Sequence, residues 1–266
     1  MENNNTNQFY GFTPEAAYKK IEKHWQIWHA NVKPQYYIVG MSGGIDSSCV
    51  AALACKIFGK EHVVGVSLPC DGQSDMWAVD KIFNHLGIKR IDIDIGDAFA
   101  NLKTKIENNG LYLTDICTTN MPARLRMTTL FGVAQCMNGI VVNTCNRSES
   151  VLSNDTLFGD DCGSYAPIQR LTKTEVKAIA AWLGIPQDLV EKTPIDGLQP
   201  LSDEDRIGIK YDTVDAYLRS TRSTNDKDRD LILSKFVSGK FKMETVHIAG
   251  PEFTEYPDAI RDEFGL

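Results

Sequence analysis

The nine residues Gly40-Met41-Ser42-Gly43-Gly44-Ile45-Asp46-Ser47-Ser48 carry the strongest chemical signal in this sequence. Their small side chains let backbone N–H groups approach phosphate oxygens, and the helix expected to follow points its positive end at the same place. The string is not a Walker A loop, which needs a lysine before its hydroxyl residue; here isoleucine and aspartate occupy that stretch. Asp46 brings negative charge toward phosphate, which is favourable only with a cation between them. Mg²⁺, which takes oxygen ligands shared with substrate phosphates, is therefore assigned to Asp46. A glycine turn with a helix-capping aspartate is the rival reading, disfavoured by the whole string in its strand–helix setting.

Two further residues fit the same chemistry. Glu149 alone reads as a surface carboxylate, but it follows a buried strand, as a ligand at the mouth of a sheet would. Lys173 alone reads as a solvated first-turn lysine, though a fixed cation is what charge developing on departing phosphates requires.

The elements that position these residues follow from periodicity. Thr13-Pro14-Glu15 opens a helix with proline at its first position, and Tyr18, Ile21, Trp25 and Trp28 line one of its faces. Residues 36–40 form a short apolar run ending in glycine, and Val50, Leu53, Ala54 and Ile57 keep helical spacing beyond the loop. Strands are expected at 62–67 and 89–95, around a helix marked by Val79, Ile82, Phe83 and Leu86. A helix from about Ala123 to Met137 precedes a strand at 139–144. An irregular stretch at 153–167 follows, then a helix opened by Leu171-Thr172-Lys173 and ending at Leu183, before Gly184-Ile185-Pro186. Residues 193–206 read as a long polar loop of the length a lid requires. The C-terminal part returns to helix, with a solvated charged face at 225–230. The repeated strand–helix order predicts an α/β fold: a doubly wound parallel sheet with flanking helices in a single domain over 13–266, after a disordered polar start at 1–12.

Composition narrows the partners. A chain of 266 residues with net charge −7 has no basic field for counterion-driven binding of nucleic acid, so any polyanion it handles should be small and metal-bound. No leader pattern opens the chain, and no run approaches the roughly 18 apolar residues of a membrane span, so a cytoplasmic protein is expected. The seven cysteines lack CxxC spacing, and several sit in apolar runs, which predicts neither disulfides nor zinc.

The glycine-rich string resembles the pyrophosphate loop of the N-type ATP pyrophosphatases, which cleave ATP to AMP and pyrophosphate. Other segments narrow the resemblance to the ammonia-dependent NAD synthetases, a family of the adenine nucleotide alpha hydrolase-like fold. Asn120-Met121-Pro122-Ala123-Arg124-Leu125-Arg126-Met127 is similar to that family's NxxARxRM segment. Thr144-Cys145-Asn146-Arg147-Ser148-Glu149 is similar to its T-x-N-x-S-E segment, and Leu171-Thr172-Lys173 matches its LTK. Phe158-Gly159-Asp160 and Pro167-Ile168 fall at its YGD and PL positions. Asp196-Gly197-Leu198 with Ser202-Asp203-Glu204-Asp205, Gly208 and Tyr211 resembles its mobile loop, and Phe241-Lys242 aligns with a terminal His-Lys pair.

The resemblance implies amidation of deamido-NAD by ammonia, with ATP as co-substrate, through an adenylated intermediate. It implies ATP and pyrophosphate contacts from Gly40, Met41, Ser42, Gly43, Gly44, Ile45, Asp46, Ser47, Thr144 and Lys173. Mg²⁺ on Asp46 and Glu149, and deamido-NAD contacts from Arg124, Asp160 and Lys242, follow in the same way. Asp46, Glu149 and Lys173 form the implied catalytic set, and a homodimer holding the dinucleotide at its interface is the implied assembly. Three positions depart from the pattern. Leu157 stands where relatives carry Lys or Arg, Ser164 replaces an acid, and Ile195 replaces a Ser or Thr. The first two concern deamido-NAD and the third ATP. Another N-type pyrophosphatase adenylating a different substrate, or a catalytically silent nucleotide-binding homologue, stays open at this point.

Overall fold

The computed structural model describes residues 11–70, 76–192 and 203–243. Four parallel strands, β1 (Tyr36–Gly40), β2 (Val63–Ser67), β3 (Lys89–Asp92) and β4 (Gly139–Val141), form one sheet in the order β3-β2-β1-β4. The helices are α1 (Pro14–Val32), α2 (Ile45–Phe58), α3 (Met76–Leu86), α4 (Gly96–Glu107), α5 (Asp115–Cys136), α6 (Arg147–Leu152), α7 (Lys173–Trp182), α8 (Gln187–Val190), α9 (Asp203–Ile207), α10 (Tyr211–Leu218) and α11 (Asp226–Gly239). Pairing runs outward from β1 to β2 and β3, and then returns to place β4 on the other side of β1. The strand order thus reverses between β1 and β4, where open α/β sheets leave a crevice for ligand.

Strand periodicity sends alternate side chains to opposite faces, and each face has its own core. Tyr37, Val39 and Val63 pack with Trp25 of α1, Val50 and Leu53 of α2, Ile82 of α3 and Ile179 of α7. Ile38, Val64, Val66 and Val141 pack on the other face with Leu130 and Ala134 of α5. A third cluster joins Val151 and Leu152 of α6 to Ile207, Tyr211, Val214 and Ile232 of α9, α10 and α11. Among the described residues no helix is long and apolar enough to cross a membrane.

The structure moves several boundaries. Helix α5 begins at Asp115 rather than near Ala123, because Thr114 caps it and its first turns are polar enough to hide the periodicity. Pro122 lies inside it; a proline withholds one amide from the helical ladder but does not by itself end a helix whose flanking turns are packed. Helix α4 has only Gly96 buried, so no apolar stripe announces it. The expected strand at 89–95 ends at Asp92, yet Ile93 N–H still donates to Ser67 O and Ile95 N–H to Pro69 O. Part of the expected loop at 193–206 is helix α9, whose first turn holds Asp203, Glu204 and Asp205, acids suited to a helix N-terminus. The rest of that loop, with Ile195, lies outside the described residues, as does most of the expected disordered start.

Candidate active site

The glycine-rich loop leaves β1 at Gly40 and enters α2 at Ile45. Gly43 sits at φ +75°, and a Cβ there would come within 3.1 Å of both Ala78 Cβ and the Val79 amide nitrogen, so glycine is favoured on both counts. Inside the turn, Ser42 Oγ accepts from Gly44 N–H at 3.2 Å, while Ser47 and Ser48 donate their hydroxyls to Gly44 O at 3.1 and 2.7 Å. No side chain caps α2, which leaves its first amides directed at the mouth of the loop.

Helices α6 and α7 bring the other reactive groups to this mouth. Asn146 caps α6 by a capping box with Glu149, and Thr172 caps α7 by a capping box with Glu175. The caps fix both first turns, from which Glu149 and Lys173 project. Lys173 Nζ donates to Asp46 Oδ2 at 2.5 Å and to Glu149 Oε1 at 2.9 Å. Asn146 Nδ2 donates to the other oxygen of Asp46 at 2.8 Å, so one residue orients both carboxylates. The lysine side chain is 4% exposed and each carboxylate side chain 15%. Burial opposes the Lys173 charge, but Asp46 and Glu149 outweigh it and hold the ammonium well above its ordinary pKa. Burial pushes the Glu149 carboxyl up, with Lys173 opposing and Asp46 reinforcing the shift.

These groups open into a cavity of about 310 Å³. Gly40, Met41, Ser42, Gly44, Ile45, Asp46, Ser47, Thr144, Glu149, Lys173 and Asp160 all line it. Arg124 and Lys242 are not among its lining residues. Arg124 is exposed and turns its Nε toward Leu157 O at 3.4 Å. Lys242 Nζ donates to Ser153 O at 3.0 Å and Asp155 O at 2.6 Å, and lies 3.4 Å from Asp155 Oδ1. Both therefore face the 153–157 segment. Asp160 accepts from Thr156 N–H at 2.7 Å. Cys145 and Cys162 also line the cavity, but burial pushes both thiols up, Cys162 to about 12, so neither is a thiolate nucleophile at neutral pH.

Sequence reasoning passed over several residues that face the same space. Arg126, the second arginine of the Ala123–Met127 segment, lines the cavity and donates from Nε to Leu68 O at 3.0 Å. Lys192 lines it too, with Nζ 3.3 Å from Gly43 O, and Arg206 joins them from α9. Arg126 belongs to the same NxxARxRM segment as Arg124, and two residues along a helix put the pair on nearly opposite sides, so only Arg126 faces the cavity. Lys192 had no motif to announce it.

Among the described residues no group of three or more His, Cys, Asp or Glu side chains is arranged to hold a metal unaided. Asp46 and Glu149 provide two carboxylates at the rim of a phosphate loop. That donor set fits Mg²⁺, which keeps waters and shares substrate phosphates instead of filling a protein cage.

A parallel sheet whose strand order reverses at a glycine-rich loop, with carboxylates and a buried ammonium at that switch point, defines a nucleotide-dependent α/β enzyme. Residues 19–249 match the NAD synthase family, and the chain belongs to it. The NH(3)-dependent NAD(+) synthetase of Methanoregula boonei is 32% identical over 245 residues, 90% of this chain and 96% of the relative. The enzyme of the same name from Pyrococcus horikoshii is 39% identical over 186 residues, covering 68% of this chain and 70% of that one. The solved structure of NMN synthetase from Francisella tularensis superposes with a TM-score of 0.83 at 28% identity, covering 91% of this chain and 100% of that one. The chain is thus a ligase that uses ATP as co-substrate.

Proposed function

We propose that this protein is an ammonia-dependent NAD synthetase, which amidates the nicotinate carboxylate of deamido-NAD. The observation that carries the reading is the Lys173 ammonium held between Asp46 and Glu149 at the foot of the glycine-rich loop. A carboxylate does not form an amide at neutral pH unless its oxygen is first converted to a leaving group. One substrate carboxylate oxygen attacks the α-phosphorus of ATP, and the bond to the β-phosphate oxygen breaks to release pyrophosphate. Ammonia then attacks the acyl carbon, AMP leaves with the shared oxygen, and the nitrogen loses a proton.

The protein's part is to bind and neutralise. The loop amides and Thr144 would hold the phosphates, and Lys173 would neutralise charge gathering on the departing pyrophosphate. Asp46 and Glu149 would hold Mg²⁺, which supplies further charge neutralisation to the phosphate oxygens. Arg124, Asp160 and Lys242 remain candidates for the dinucleotide. A homodimer fits the apolar surface at the start of α5, where Leu111, Tyr112 and Ile116 are 61%, 93% and 73% exposed. The cytoplasm is the compartment such a soluble-substrate enzyme would occupy.

A second reading concerns the acid alone. Leu157 replaces a cation, Ser164 an acid, and the side chains of Arg124 and Lys242 are turned to carbonyls of 153–157. This leaves fewer groups for the second nucleotide of a dinucleotide, and the NMN synthetase from Francisella tularensis is among the similar structures. The acid of that reading is nicotinic acid mononucleotide, amidated by the same steps. The test is AMP release with ATP, Mg²⁺ and ammonia and either acid. Turnover with deamido-NAD supports the first reading, preference for the mononucleotide supports the second, and turnover with neither overturns both.

A further inference from the structure

Helix α10 touches the reactive end of α7 from behind. Its Asp215 is 5% exposed and is not among the residues lining the cavity. Its Oδ1 accepts from Ser148 Oγ at 2.5 Å, and its Oδ2 accepts from Thr174 N–H at 2.7 Å and Thr174 Oγ1 at 2.6 Å. Ser148 Oγ in turn accepts from Lys173 N–H at 3.0 Å. A closed circuit therefore joins the residue before Glu149 to Lys173 and to the residue after it. One turn earlier on α10, the Tyr211 ring lies 5.3 Å from Lys173 Nζ.

Burying a carboxylate is costly unless its oxygens are paired. Capping accounts for only part of this one: Asp215 takes the Thr174 amide that the Thr172–Glu175 box leaves open, but its other oxygen holds Ser148 of α6. What Asp215 adds is the relation of α7 to α6. We propose that Asp215 is a positioning residue for the amidation: by locking the first turn of α7 to that of α6, it fixes the Lys173 ammonium between Asp46 and Glu149. The inference rests on the proposed function, because the value of that placement is charge neutralisation on the leaving pyrophosphate.

The experiment compares full-length Asp215→Ala, Asp215→Asn and Ser148→Ala with the unmodified protein in steady-state kinetics for ATP and in thermal unfolding. Misplacing a charge stabiliser by about 1 Å costs up to roughly 100-fold, so Asp215→Ala should lose about 10- to 100-fold in kcat. Its KM for ATP should stay within about threefold, because the phosphate loop keeps its own hydrogen bonds. Asp215→Asn should recover most of kcat, since an amide of the same shape accepts from Thr174 and donates to Ser148. Ser148→Ala should lose about tenfold, and it carries the test if Asp215→Ala does not fold. A folded Asp215→Ala or Ser148→Ala protein with unchanged kcat overturns the assignment. So does an Asp215→Asn protein as impaired as the alanine variant, which would make charge and not placement the function. Unmodified protein that releases no AMP with either acid overturns the proposed function itself, which separates the two failures.

Discussion

Lys173 Nζ lies 2.5 Å from Asp46 Oδ2, although 127 positions separate the two residues in the chain. The contact closes the space between α2 and α7 and places one ammonium among two carboxylates. With one ammonium facing two carboxylates, and burial pushing the Glu149 carboxyl up, a second positive charge, either a proton or a cation at the rim, balances the cluster. Lys173→Met should leave the carboxylates facing each other and destabilise the fold by about 3 kcal/mol, the scale for breaking a buried pair. Millimolar Mg²⁺ should restore more thermal stability to this variant than it adds to the unmodified protein. Differential scanning fluorimetry with and without Mg²⁺ reads this directly, and equal Mg²⁺ responses would contradict it.

Asp46→Asn and Glu149→Gln keep side-chain shape while removing one charge each. If these carboxylates hold Mg²⁺ at the phosphates, each variant should lose roughly 100-fold or more in kcat, the scale for deleting a preorganised electrostatic group. Pyrophosphate release at limiting Mg²⁺ measures the effect. Near-normal turnover in both variants would remove the assignment.

Gly43→Ala tests the loop itself. An L-residue at φ +75° carries about 1–2 kcal/mol of backbone strain, and the added methyl would press on the Val79 amide nitrogen at 3.1 Å. The loop must shift to relieve that contact, so the variant should fold with a modestly lower Tm and bind ATP at least tenfold more weakly. Calorimetric titration of a non-hydrolysable ATP analogue checks it; unchanged affinity would mean that the loop backbone does not contact phosphate.

The sequence disclosed those groups that sit where a strand or a cap ends in a recognisable string: Asp46 after β1, Glu149 after β4 and Lys173 at the start of α7. Their convergence follows from parallel topology, which brings strand carboxyl ends to one edge. Asp215 and Lys192 were not legible. Their roles depend on which helix packs behind which, and no local period encodes that. The beginning of α5 was hidden by polar residues and Pro122, and α4 by an exposed surface that leaves no stripe.

Lys242 illustrates how geometry reweighs a motif residue. Its side chain is 20% exposed, that of Asp155 is 4%, and burial pushes the Asp155 carboxyl up to about 6 against the pull of Lys242. Because burial favours the protonated acid, Asp155 opposes folding as pH rises through about 6, and Lys242 limits that loss. Lys242→Met should therefore cost about 1–3 kcal/mol at pH 8 and distinctly less at pH 5. Denaturant unfolding at the two pH values tests the sign. A purely substrate-binding lysine would leave both curves unchanged and raise KM alone.

The acid substrate is tested by restoring what the sequence lacks. Leu157 is partly buried beside Asp161, and Ser164 is exposed at the far end of the same irregular segment. Leu157→Lys and Ser164→Asp together return one cation and one anion, so net charge is unchanged while two dinucleotide contacts worth about 1–3 kcal/mol each become available. If this protein amidates deamido-NAD through an otherwise complete pocket, the double variant should lower KM for deamido-NAD roughly tenfold or more and leave KM for ATP in place. If it is built for the mononucleotide, the same substitutions add groups with nothing to meet. Turnover of the mononucleotide would then stay ahead of deamido-NAD in both proteins. Steady-state rates for the two acids, measured on the unmodified and double-variant proteins at fixed ATP, Mg²⁺ and ammonia, separate the cases. A double variant inactive with both acids would show that the pocket does not tolerate the added pair, and would withdraw both positions from substrate choice.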